Sequence, residues 1–173
     1  MKSPIPEAAL QQHIAILGRA RPTVIPSLAD VAYAAGFFDG EGHITIAANH
    51  KVAGTVGTIY NMRVGASQNH PEPLIWLRER WGGSVQATKR KTAAHNVTYV
   101  WGCFSRGAAT FLRDVRPFLI VKASRADVAL EFQSSLFNSG ARAHTAEYRA
   151  QQVALKLEMN DLNTHKRLIR GAA

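Results

Sequence analysis

Residues Tyr33 to Ile44 read YAAGFFDGEGHI. The stretch opens with small and apolar residues suited to a helix and closes on Asp39-Gly40-Glu41-Gly42, two carboxylates set among glycines. Upstream, Ser27 follows Pro26 and precedes Asp30 by three residues, a capping-box pattern that predicts a helix from Leu28 to about Phe38, stopping at the glycines. Ala32, Ala34, Ala35 and Gly36 keep that helix thin, and Ala32 and Gly36 stand one turn apart. Small residues at this spacing let a second backbone come close, including a copy of the same helix across a two-fold axis. Such packing sets two acidic tips side by side, where they repel unless cations lie between them. The expected role of the acids is therefore to bind divalent metal.

The rest of the chain bounds the setting. With 173 residues, 46% apolar and 19% charged, it reads as one globular domain. The formal charge is +9, from 21 Lys and Arg against 12 Asp and Glu, and a chain this basic points first to nucleic acid. The single Cys103 excludes an internal disulfide and a multi-Cys zinc site. No apolar run approaches the roughly 20 residues that span a bilayer, and the N-terminus lacks a secretory apolar block, so a cytoplasmic or organellar interior is expected.

Periodicity divides the remainder. A helix is expected from Glu7 to about Ala20, ended by Arg21-Pro22. After the glycines, His43 to about His50 and Thr58 to Gln68 alternate as strands, with a turn over 51–57. Leu74, Ile75, Leu77 and Trp81 mark a short helix closed by Gly82-Gly83. Two further strands follow, Ser84 to Lys91 and Val97 to Phe104, and then a helix capped by Ser105, a helix over Lys122 to Phe137, and a polar helical tail from Thr145. The pattern is α+β, a mainly antiparallel sheet covered by helices on one face. Its other face carries His43, Thr45, Asn61, Arg63, Gln86, Thr88 and Arg90, types suited to base edges and phosphates, although a solvated sheet face is also polar. Lys89-Arg90-Lys91 adds a basic patch at a hairpin tip.

The segment AAGFFDGEG, Ala34 to Gly42, resembles the signature of the LAGLIDADG homing endonucleases, with Ala34 in place of the usual leucine. Arg116 to Lys122, RPFLIVK, is similar to that family's Pro-aromatic-Leu-x-x-Lys segment, and the resemblance spans about Ser27 to Phe137. It implies a saddle-shaped antiparallel sheet in the order α-β-β-α-β-β-α lying in the major groove. It further implies an extension over 1–26, a core over 27–137 and a helical tail over 138–173. Only one motif is present, so the resemblance implies a homodimer that makes a staggered double-strand cut in a long, nearly palindromic DNA target. By the same correspondence, Glu41 and the Gly40 carbonyl hold Mg2+, with Mn2+ as a substitute. Lys122 lies near the scissile phosphate, Gln68 organises water, and Asp39 is structural. Ala32, Ala35, Gly36 and Asp39 fall at the dimer interface. One departure stands out: Glu72 and Pro73 occupy positions after Gln68 where the family often has a basic residue, which Arg63 would have to replace.

Other constellations are weaker. His70 and His95 beside Asn69 and Asn96 lack the spacing of a His-Asn nuclease. Trp76, Trp81 and Trp101 read as core, and Cys103 as a buried filler. The competing function is a non-cutting protein of the same fold, an RNA maturase or DNA-binding regulator, against which the retained Glu41 and Lys122 argue. A bare dimerisation module would leave the charge and the acids unexplained.

Overall fold

Ser27 starts the first helix as its capping box predicts. In the computed structural model, which describes residues 18–49, 58–88, 97–137 and 145–170, its hydroxyl accepts the Asp30 N–H at 3.2 Å while the Asp30 carboxylate accepts the Ser27 N–H at 2.9 Å. Helix α1 spans Leu28–Glu41. It does not stop at Phe38 as expected, but runs through Asp39-Gly40-Glu41 before the Gly42 N–H closes on the Phe38 carbonyl. The cause is tertiary. Phe38 is fully buried, and the Asp39 carboxylate is held by the backbone of 120–122, so the last turn is pinned from two sides and glycine's weak helix propensity is overridden.

The sheet comprises β1 (Gly42–Asn49), β2 (Ile59–Gln68), β3 (Ser84–Ala87) and β4 (Tyr99–Phe104), ordered β1-β2-β4-β3 with every pair antiparallel. One face is core: Ile44, Ile46, Met62, Val64, Ala66, Val85, Trp101 and Cys103 are all buried. The alternation predicted for β1 and β2 is thus observed. Of the expected hairpin, β3 is described only to Ala87, with Thr88 N–H still bonded to the Thr98 carbonyl at 2.8 Å; Lys89, Arg90 and Lys91 lie outside the described residues.

Helix α2 (Glu72–Trp81) ends at Gly82 and Gly83, both at positive φ of 72° and 88°. Helix α3 (Ser105–Val115) follows β4 with no connecting residue. Ser105 is therefore the first helical residue and not the expected cap, and its φ of +47° records the tightness of that corner. A 3-10 turn (Arg116–Phe118) leads to α4 (Ala123–Phe137). The core centres on Phe111, whose ring meets Phe38, Trp101 and Trp81 edge-on at 4.9, 5.1 and 5.3 Å. Trp76 is only half-buried, set against Tyr33 at 5.0 Å.

Helix α5 (Ala146–Arg170) forms part of the tail and packs on α4 and β1. Leu155 and Met159 join the core, Arg125 donates to the Leu162 carbonyl at 2.5 Å, and Asn163 donates to the Ile44 carbonyl at 3.1 Å. At the other end, residues 18–20 are not helical. Ala20 forms a β-bridge with Gly83, so the chain here is an extended strap; the rest of the expected N-terminal helix lies outside the described residues.

Candidate functional site

One face of α1 has no partner among the described residues. Leu28, Ala32, Gly36 and Gly40 are exposed, Leu28 at 73%, and a Cβ added at Gly36 or Gly40 would meet nothing within 4 Å. This is the expected small-residue seam, with one correction: Ala35 is fully buried in the chain's own core and cannot touch a partner. Successive helical residues turn by about 100°, so a helix that presents Gly36 outward rotates Ala35 inward. Gly40 completes the exposed row instead. Ile25, Ile120 and Val121 are also exposed.

The two acids of the motif have separate fates. Asp39 turns into the chain, where its carboxylate accepts the N–H groups of Ile120, Val121 and Lys122 at 2.7, 3.1 and 2.9 Å. It anchors the segment that leads into α4, a local structural task, as a carboxylate does at a helix N-terminus. Glu41 is exposed at the tip of α1, beside the exposed Gly40. Among the described residues there is no cluster of three or more His, Cys, Asp or Glu able to hold a metal ion.

Lys122 is almost wholly buried and donates its Nζ to the Asp39 carbonyl, close beneath the tip. His43, two residues after Glu41, lies against the backbone of Gly65, where an added Cβ would come within 2.5 Å of its ring. Burial, and then the charges of Arg63 and Lys122, push the His43 pKa below its ordinary value, which keeps the ring neutral. Arg63 sits over the Phe104 ring at 5.3 Å. Gln68 lies at the same end of the sheet as Glu41, since Gly42 pairs with Ala66; its side chain accepts the Asn69 N–H at 2.9 Å. Glu72 is exposed at the start of α2, so no base fills that position.

The register arranges the open sheet face in rows. His43, Gly65, Gly102 and Ser84 form one row across all four strands, and Thr45, Arg63 and Phe104 form the next. Asn61 pairs with Ala47 further along, and Gln86 and Thr88 are exposed at the β3 edge. The expected face residues that are described therefore share one surface. Three features of this region are not visible in the sequence. The glycine-floored row is visible only from register, and Phe104, 39% exposed, ends β4 opposite Arg63 on the open face. The third is the place of Arg19 and Arg21, which the structure brings to the β3 edge on the strap.

No protein-family model matches this sequence, and no curated protein matches it. Solved structures do. The chain superposes on the homing endonuclease I-CvuI, in complex with its DNA target and Ca2+, with TM-score 0.65 at 17% identity over 78% of this chain and 82% of that one. It superposes on the homing endonuclease I-TnaI with TM-score 0.58 at 19% identity, covering 85% and 96%. For the LAGLIDADG homing endonuclease I-SmaMI bound to cleaved DNA, the TM-score is 0.57 at 17% identity, covering 93% of this chain and 54% of that one. At these identities the likeness establishes the fold.

Proposed function

For a chain with the LAGLIDADG homing endonuclease fold, we propose a site-specific DNA endonuclease that works as a homodimer and makes a metal-dependent double-strand cut. The observation that carries this reading is the unpartnered seam of α1, Leu28, Ala32, Gly36 and Gly40, ending in the exposed carboxylate of Glu41. A second copy packed on that seam brings a second Glu41 to the same place. The chain's span of about half of I-SmaMI accords with a partner of equal size.

The donor set fits a hard divalent cation such as Mg2+. Mg2+ is usually held by one or two carboxylates together with substrate phosphate and water, and Glu41 with the Gly40 carbonyl offers oxygen ligands only. Bound there, the ion would activate water and offset charge on the phosphodiester. The chain's own residues do the rest. Asp39 fixes the tip by holding 120–122, which also fixes Lys122 beneath it. Lys122 and Arg63 supply positive charge, His43 stays neutral between them, and Gln68 stands ready to order water at the strand end. The open face with Thr45, Asn61, Gln86 and Thr88 lies along the groove of the duplex.

Glu41→Gln tests this. Removing one ligand charge is expected to cost about 3 kcal/mol of transition-state stabilisation, roughly a hundredfold in cleavage rate, with DNA binding kept. Cleavage by the variant at the wild-type rate would remove Glu41 from the site.

A further inference from the structure

The outer edge of β3 is covered at its start by the strap. Ala20 pairs with Gly83 through reciprocal bonds of 3.0 and 3.2 Å, and the N–H groups of Thr23 and Val24 donate to the Glu79 carbonyl at 2.7 and 3.1 Å. Arg78 adds bonds to the Gly18 carbonyl at 3.0 and 3.3 Å. The strap is thus seated against the β3 edge by one isolated β-bridge, by backbone bonds to Glu79 and by the Arg78 side chain. Gly82 and Gly83 make room for it: an added Cβ at Gly82 would lie 2.6 Å from the Ala20 carbonyl, and one at Gly83 would lie 2.4 Å from the Gly102 carbonyl.

Beside the strap is a cleft of about 480 Å3 lined by Arg19, Arg21, Ser84, Gly102, Phe104 and others, none of them acidic. Arg63 borders it, 3.8 Å from where a Gly102 Cβ would stand. Among the described residues, no ion pair involves Arg19, Arg21 or Arg63. Glu79, whose carbonyl anchors the strap, has its carboxylate 3.8 Å from Arg80. A cleft that Arg19 and Arg21 line together with Ser84, Gly102, Trp81 and Cys103, without an acid, suits a phosphodiester, whose oxygens match the planar fork of arginine.

We propose that Arg19 and Arg21 form a second phosphate-binding site, which grips the backbone of bound duplex DNA away from the reacting phosphate; the proposal rests on the DNA-binding reading above. Four strand spacings of about 4.8 Å separate the strap from β1, so the backbone that carries Arg19 and Arg21 stands about 19 Å from that of His43, with Arg63 between them. At that distance it contributes affinity and placement, and it carries no sequence preference.

The test is a salt titration of wild-type protein binding to a labelled, mixed-sequence DNA duplex, followed by fluorescence anisotropy. Each phosphate neutralised contributes about 0.9 to the slope of log K against log salt, and the proposed dimer carries the site twice, so Arg19→Ala/Arg21→Ala should reduce the magnitude of the slope by about 1.8. Arg19→Lys/Arg21→Lys, which keeps both charges, should retain most of it. Should the alanines disturb the strap, detected as a changed melting curve, Arg19→Gln/Arg21→Gln should give the same loss of slope. A wild-type slope in a charge-removing pair that still binds DNA would overturn the strap site and leave the endonuclease reading standing. Failure of the wild-type protein to bind duplex at low salt would overturn both.

Discussion

Replacing Asp39 by alanine removes the carboxylate that joins the tip of α1 to the segment before α4 and leaves only the Lys122 bond to the Asp39 carbonyl among the hydrogen bonds described there. Three N–H groups lose their acceptor, but unequally. Ile120 and Val121 are exposed, so water can replace the carboxylate there, whereas the Lys122 N–H is partly buried and has less access to solvent. Leaving one such donor poorly satisfied costs about 1–3 kcal/mol, and loss of a carboxylate cap about 1 kcal/mol more. The expected destabilisation is therefore about 3 kcal/mol, equivalent to about 9 °C in melting temperature for a chain of this size. Urea unfolding and calorimetry read it directly, with the midpoint lowered and the denaturant slope unchanged. Asp39→Asn keeps one acceptor oxygen but turns an NH2 group toward donors, so it should recover only part of the loss. A stability for Asp39→Ala within about 0.5 kcal/mol of wild type, the range of an ordinary surface substitution, would refute the reasoning.

Gly36→Leu should convert the proposed dimer to a monomer in sedimentation equilibrium while the monomer's own stability rises slightly, because its Cβ meets nothing within 4 Å and leucine favours helix. An unchanged dimer in this variant would remove the α1 seam as the interface. His43 has a folded pKa below the ordinary 6.5, so the unfolded chain binds its proton first. Its contribution is present above the unfolded value and lost as pH falls through the folded one. The melting temperature of wild type should accordingly drop more than that of His43→Asn between about pH 7 and pH 5; parallel curves would show that the ring does not titrate differently on folding.

The legible parts of the chain were those set by local chemistry. Ser27 and Asp30 specify the start of α1 by reciprocal bonds between near neighbours, and the alternation of Ile44 and Ile46, or of Met62, Val64 and Ala66, specifies the buried face of the sheet within each strand. What was not legible depends on distant partners. The rotation of α1 that buries Ala35 and exposes Gly36 is set by packing on the aromatic core. Its continuation past Phe38 is set by residues some 80 positions later that Asp39 binds. The strap was read as the end of a helix because Arg19 and Arg21 carry no extended signal of their own; it takes the Gly82-Gly83 turn to open a place for it. The resemblance carried by Arg116 to Lys122 says nothing of the burial of Lys122 beneath Asp39, which is a fact of the tertiary structure alone.

The central claim is that two copies of the Glu41 tip assemble a metal-dependent nuclease. It is tested most directly by incubating the protein with the uninterrupted host sequence that flanks its gene, in Mg2+, in Ca2+ and in EDTA, and resolving the DNA products. The account predicts a double-strand cut at one position in Mg2+, none in EDTA, and a roughly hundredfold slower cut by Glu41→Gln in Mg2+. Binding of the DNA without cleavage in every metal would contradict it.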